Sequence, residues 1–184
     1  MIIRQATTAD AEEIASVYIE TWRDSYAGVI PDHVLVNMSH RRQAADWRGA
    51  IANGHGGHQV LVAEDDIAGV IGIGSCGRAR ETGLPYRGEV YTFYVHPDHQ
   101  GEGVGKALLR ELFRALSRNA MGSALIWVLA DNPARFFYEA RGGRLVATRD
   151  QRLWGTVLHE KAYGWDDLAA ATGRRARQRL PHGR

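Results

Sequence analysis

The run EVYTFYVHPDHQGEGVGKALL, Glu89 to Leu109, decides how the rest of the chain is read. Glu89 to Val95 carries two valines and three aromatic residues in seven positions, the composition of a strand. Pro97 ends it, because proline has no N–H to donate to a ladder. Gly101, Gly103 and Gly105 follow at alternate positions, and a helix then starts, with Leu108, Leu109, Leu112 and Leu116 recurring on one face. A strand, a glycine-rich turn and a helix start together make a phosphate-binding device. Glycines let several backbone N–H groups converge, and the helix N-terminus adds unpaired donors and a partial positive charge.

Two familiar phosphate motifs do not fit. The nucleotide-triphosphate loop needs Ser or Thr where Ala107 stands, and the dinucleotide fingerprint needs glycine where Lys106 stands. What remains is Gln100-x-x-Gly103-x-Gly105 behind a Val-x-Pro strand end. This resembles the acetyl-CoA pyrophosphate loop of the GNAT superfamily of N-acetyltransferases. A second stretch, Asn132 to Gly143, is similar to the other signature of that family, with Asn132, Tyr138 six residues later and then Gly142. One position departs: Gly143 stands where the family commonly has an aromatic residue, which implies weaker packing beneath the helix end.

Bulk numbers bound the remaining possibilities. At 184 residues the chain can build a substantial core, and 45% apolar with 24% charged residues is ordinary for a globular domain. No apolar run is long enough for a membrane span, and the N-terminus lacks a signal-peptide pattern, so a cytoplasmic location and no membrane partner are expected. The single Cys76 excludes an intramolecular disulfide and fits a buried strand position. The net charge of +2 conceals five arginines between Gly173 and Arg184, which leaves the rest of the chain acidic. Without interleaved aromatics that segment reads as a flexible basic tail, residues 173–184, rather than a nucleic-acid contact.

The element order read along the chain is β, helices, β-β-β, helix, β, helix, β-β. A strand starts at Ile2, and Thr7 or Thr8 caps the first helix. Gln59–Glu64 and Ile67–Gly74 form a hairpin with Asp65-Asp66 as its turn. The apolar run Ala124–Ala130 reads as a strand covered on both faces. Asn132-Pro133 opens a short helix that Gly142 stops, and 145–148 and 156–163 form a closing strand pair. The expected class is α+β: one domain over residues 1–172, with a mixed, mostly antiparallel twisted sheet of about seven strands and about four helices. This is also the order of the GNAT fold.

The resemblance implies a reaction: transfer of the acetyl group of acetyl-CoA to a primary amine. It places backbone N–H groups of Phe93, Tyr94 and Val95 on the acetyl carbonyl and pantetheine. It places Gln100, Gly101, Glu102, Gly103, Val104, Gly105 and Lys106 at the pyrophosphate, and Asn132 at the pantetheine arm. It makes Tyr138 the acid that protonates the coenzyme A thiolate. Glu89 is the candidate base: Glu89, Tyr91, Phe93 and Val95 share a strand face by the period of two, and the resemblance puts Glu89 where an acid could drain a proton through water; His96 and His99 are other titratable candidates near the loop. Trp22, Tyr26, Tyr86 and Tyr91 are candidates for the acceptor wall. The implied acceptor is a small molecule. Acetylation of a protein N-terminus or lysine, and acyl-CoA binding without turnover, stay open, as does a homodimer. The eight histidines show no His-x-x-x-His pair, so no metal is expected.

Overall fold

A computed structural model of the protein describes residues 1–54 and 57–173. All seven strands join one sheet in the order β1-β2-β3-β4-β5-β7-β6. They are β1 (Ile2–Gln5), β2 (Gln59–Asp65), β3 (Gly69–Arg78), β4 (Gly88–Val95), β5 (Ala124–Leu129), β6 (Arg144–Leu153) and β7 (Thr156–Trp165). Only the neighbours β4 and β5 run parallel. Among the described residues six α-helices accompany them: α1 (Ala11–Ser25), α2 (Asp32–Val36), α3 (His40–Ala52), α4 (Val104–Arg118), α5 (Ala134–Ala140) and α6 (Leu168–Ala171). The expectation of about four helices omitted the short α2 and α6. The expected tail lies, beyond Gly173, outside the described residues.

The two sheet faces are covered by different helices. Ile14 and Val17 of α1 and Trp47 of α3 bury against Val62, Val70 and Ile73. On the other face Leu108, Leu112 and Leu116 of α4, four residues apart and almost wholly buried, pack on Cys76, Val90 and Ile126. The approach of α4 is close enough to require glycine beneath it. A Cβ on Gly74 would stand 2.6 Å from Leu112 Cδ1.

Two sequence expectations shift in detail. The β2–β3 turn is 66–68, with the side chain of Asp65 accepting from the Ile67 and Ala68 N–H groups at 3.0 and 3.3 Å. Gly69 then takes the positive φ of 73° that the turn needs, and Ile67 is a bare tip at 97% exposure rather than a strand residue. Gly143 does not leave a gap beneath α5: the indole of Trp165 occupies that space, 2.7 Å from where a Cβ would stand, and donates to the Arg141 carbonyl at 2.9 Å.

The register of β4 matters most. Thr92 pairs with Ser75 and Val90 with Cys76, so Tyr91 is an extra residue, a β-bulge. Gly88 faces Leu116 of α4, so Glu89 points to the opposite face. Gly74, opposite Phe93, faces Leu112, so Phe93 lies on the α4 face. Glu89 and Tyr91 therefore do not share a face with Phe93 and Val95. The expected alternation fails because one bulge inverts every side chain beyond it.

Candidate active site

β4 and β5 pair only from Gly88–Val90 to Ala124–Ile126. Beyond that, β4 continues to Val95 and β5 to Leu129 with no ladder between them. A cavity of about 680 Å³ opens in this divergence. The backbone at its wall is predisposed to bind. The His96 N–H donates to the Ile71 carbonyl on the β3 side at 2.9 Å. The two-residue period of a strand sends the Phe93 and Val95 N–H groups the other way, toward the gap.

The glycine loop closes one end of the cavity. Gln100 Nε2 donates to the Val95 carbonyl at 3.1 Å and ties the loop to the strand end. Gly101 and Gly103 take φ of 80° and 87°, a region that side chains disfavour. Gly103 is the cap of α4, so the first N–H groups of that helix face the opening with the positive end of its dipole. Lys106 and Arg141 add cationic side chains to the lining. Neither Glu102 nor Val104 lines the cavity: the Glu102 carboxylate lies 3.2 Å from His99 Nδ1 and Val104 is buried in the core.

Tyr138 projects from α5 into the same cavity, 3% exposed, with its ring 6.0 Å from that of Phe93. Burial pushes its hydroxyl far above the usual tyrosine value near 10, so it stays protonated. Asn132, also buried, accepts from the Ala134 N–H at 2.8 Å and donates to the Tyr26 hydroxyl at 3.3 Å. That single side chain caps α5 and joins it to the end of α1. Tyr26, Tyr91 and Tyr94 all line the cavity.

Besides Glu102 and Val104, three more of the predicted residues stand elsewhere. Trp22 packs behind Tyr26 and against Tyr18 and Trp154 instead of lining the cavity. Tyr86 fills the space over Gly164 and donates to Asp166 at 2.9 Å, outside the cavity. Glu89 is 2% exposed and is held by Arg80, whose backbone N–H donates at 2.9 Å and whose guanidinium adds two further bonds. It too lies outside the lining. Thr21, Asp24, Trp127 and Arg141 do line the cavity, and sequence reasoning missed them. Only Trp127 carried a usable signal, an N–H-bearing side chain inside an apolar strand.

Among the described residues, no group of three or more His, Cys, Asp or Glu could hold a metal ion, and no helix is long and apolar enough to cross a membrane.

Likeness to known proteins agrees with this geometry. Residues 56–142 match the family model described as an acetyltransferase (GNAT) domain. The uncharacterised N-acetyltransferase YuaI of Bacillus subtilis is 32% identical over 168 residues, spanning 91% of this chain and 94% of that protein. The L-amino acid N-acyltransferase MnaT of Escherichia coli is 35% identical over 113 residues, 61% of this chain and 60% of that one. YncA of Salmonella typhimurium, solved with its cofactor acetyl-CoA, superimposes with a TM-score of 0.68 at 26% identity, covering 91% of this chain and 94% of that one. The divergent parallel strands, the glycine loop and these relatives define an N-acetyltransferase. The chain belongs to the GNAT family.

Proposed function

We propose that the protein uses acetyl-CoA to acetylate the primary amine of a small-molecule acceptor by direct attack. The observation that carries this reading is the unpaired stretch of β4 beside β5, with the buried hydroxyl of Tyr138 on one side and the glycine loop at one end. The acetyl-CoA bound to YncA and the amino acid acceptor in the name of MnaT support it.

The residues present fit such a cosubstrate. Nothing stands within 4 Å of a Cβ placed on Gly101 or Gly103, so a pyrophosphate can approach the loop backbone. The N–H groups of residues 101–106, with Lys106, hold that pyrophosphate. When bound, acetyl-CoA supplies an activated acyl carbon whose carbonyl oxygen gains negative charge as the amine adds. The Phe93 and Val95 N–H groups, aimed into the gap before any ligand arrives, hold the pantetheine and stabilise that charge; one such donor is commonly worth about 3–4 kcal/mol. Tyr94 takes part through its ring, packed 5.5 Å from Tyr18. Asn132 positions the pantetheine arm. Tyr138, kept protonated by burial, gives its proton to the departing thiolate and regains one from the proton that the amine nitrogen loses as the amide forms, so the transfer is proton-neutral. Tyr26 and Tyr91 face the acceptor, and Trp22 supports Tyr26 from behind. Glu89 holds Arg80 and its loop in place, its carboxylate accepting three bonds from Arg80.

Calorimetric titration with acetyl-CoA and with coenzyme A tests the first half of this reading, and thiol release on an amine panel tests the second. Micromolar binding followed by acceptor-dependent release is expected. Absence of binding by either nucleotide would overturn it.

A further inference from the structure

Tyr91 and Trp127 come directly after Val90 and Ile126, the last pair that joins β4 to β5. They therefore stand at the closed end of the divergence, about 13 Å along the strand from Val95 and the glycine loop. Both side chains lie on the sheet face turned away from α4. Ile126 and Val128 pack into the core beneath α4, so Trp127 between them points the other way. Gly77 pairs with Glu89, and a Cβ on Gly77 would stand 2.6 Å from the Tyr91 hydroxyl, so Tyr91 shares that side. Both residues line the cavity and both are partly exposed, whereas Val90 and Ile126 are buried.

What these rings offer a bound molecule is carbon. The Trp127 indole nitrogen is wholly enclosed, and the Tyr91 hydroxyl is committed to the Arg78 carbonyl. Each ring is backed by a guanidinium: Arg149 lies 3.9 Å from the Trp127 centroid and Arg80 lies 4.7 Å from that of Tyr91. Neither arginine lines the cavity, and each is matched by acid, Arg149 by Glu81 and Glu160, Arg80 by Glu89. The adjacent loop residues Arg80 and Glu81 thus brace both rings from behind. The charged residues of the lining are Asp24 on α1, Lys106 on α4 and Arg141 after α5; β4 and β5 contribute none.

A polar group set against these rings would give up water and gain no partner, whereas an apolar group gains from burial. We propose that Tyr91 and Trp127 form an apolar subsite, and that the acceptor is an amine carrying an aryl or branched alkyl group that docks against their rings. This rests on the acetyl-transfer reading above and narrows its acceptor to one class.

The test is thiol release with acetyl-CoA for phenethylamine and isoamylamine against ethanolamine and putrescine, with ethylamine as the reference. It is run on the intact protein, on Trp127→Gln and on Trp127→Phe. Burial of the apolar group should give the first two amines an advantage of about ten- to a hundredfold in kcat/KM. Trp127→Gln is expected to remove most of that advantage by raising KM for the apolar amines. Trp127→Phe is expected to keep it, because a carbon face rather than the indole N–H does the binding. Rates with ethylamine and calorimetric affinity for acetyl-CoA stay near their original values in both variants, and the affinity shows that each is folded. Polar amines turned over by the intact protein as well as apolar ones would overturn the subsite, even if the glutamine variant did not fold. So would an undiminished advantage in folded Trp127→Gln. Either result leaves acetyl transfer standing. Acetyl-CoA binding without thiol release from any amine would remove the acetyl-transfer reading first, and this subsite with it.

Discussion

The carboxylate of Glu89, buried in β4 at 2% exposure, accepts a hydrogen bond from the backbone N–H of Arg80 at 2.9 Å and from Arg80 Nε at 3.1 Å. The Arg80 guanidinium in turn stacks 4.7 Å over the ring of Tyr91, at the bulge. One ion pair therefore fastens the 79–87 loop to the strand position where β4 changes face. If Glu89 positions this loop, Glu89→Gln keeps an acceptor oxygen but loses the charge. Stability should fall by about 1–2 kcal/mol. The pH dependence of kcat/KM should keep its shape. A profile that loses its acidic limb in this variant would instead identify Glu89 as the base.

Tyr138→Phe should lower kcat by about a hundredfold and leave acetyl-CoA affinity within about twofold, because the hydroxyl acts at the leaving group. Burial raises the Tyr138 value above its ordinary one near 10, so the acid form persists throughout the neutral range. Ionisation of Tyr138 then adds no basic limb to the kcat profile below pH 10. Stopped-flow detection of thiol release across pH 6–10 checks both points. A limb near neutrality that vanishes in the phenylalanine variant would contradict the assignment.

Gly103→Ala tests why the loop contains glycine. In the free protein a Cβ there meets nothing within 4 Å, so crowding is not the reason; φ of 87° is. Holding alanine in that conformation costs about 1–2 kcal/mol. The loop should relax away from its cradle and acetyl-CoA binding should weaken about tenfold or more. Gly122→Ala, which is equally open and has no positive φ, should bind normally. Equal calorimetric affinities in the two variants would show that the loop conformation does not hold the nucleotide.

Far from the cavity, Arg4 clamps Asp10 through two 2.8 Å bonds, one to each carboxylate oxygen. That pairing, with the Thr7 N–H, draws the Asp10 value down to about 2. A carboxylate depressed in the folded state stabilises it above the unfolded value near ~4 and loses that contribution as pH falls toward 2. Urea melts should therefore show Asp10→Asn less stable than the parent at pH 7, with the difference shrinking steadily between pH 4 and pH 2. A constant difference across that range would mean the ion pair contributes nothing.

Local order along the chain was legible because it rests on local chemistry. Periodicity at 3.6 and 2 residues marked α4 and the strands, and Gly101, Gly103 and Asn132-Pro133 marked turns and caps that each depend on a few adjacent residues. What went wrong depended on distant partners. Whether Gly143 leaves a gap is settled by Trp165, more than twenty residues on, which fills it. Tyr86 reads as an acceptor-site aromatic until Gly164 is seen to leave room for its ring.

The sequence by itself determined the α+β class, the glycine turns before α4 and the place of Asn132 just ahead of the short helix that carries Tyr138, since backbone conformation and spacing encode them. Only the tertiary structure decided which face Glu89 takes and which side chains wall the cavity. A bulge at Tyr91 needs β3 as its partner before it exists, and it reverses every residue after it. Likewise, the divergence of β4 from β5 that opens the cavity is a relation between two strands, with no counterpart in the sequence of either.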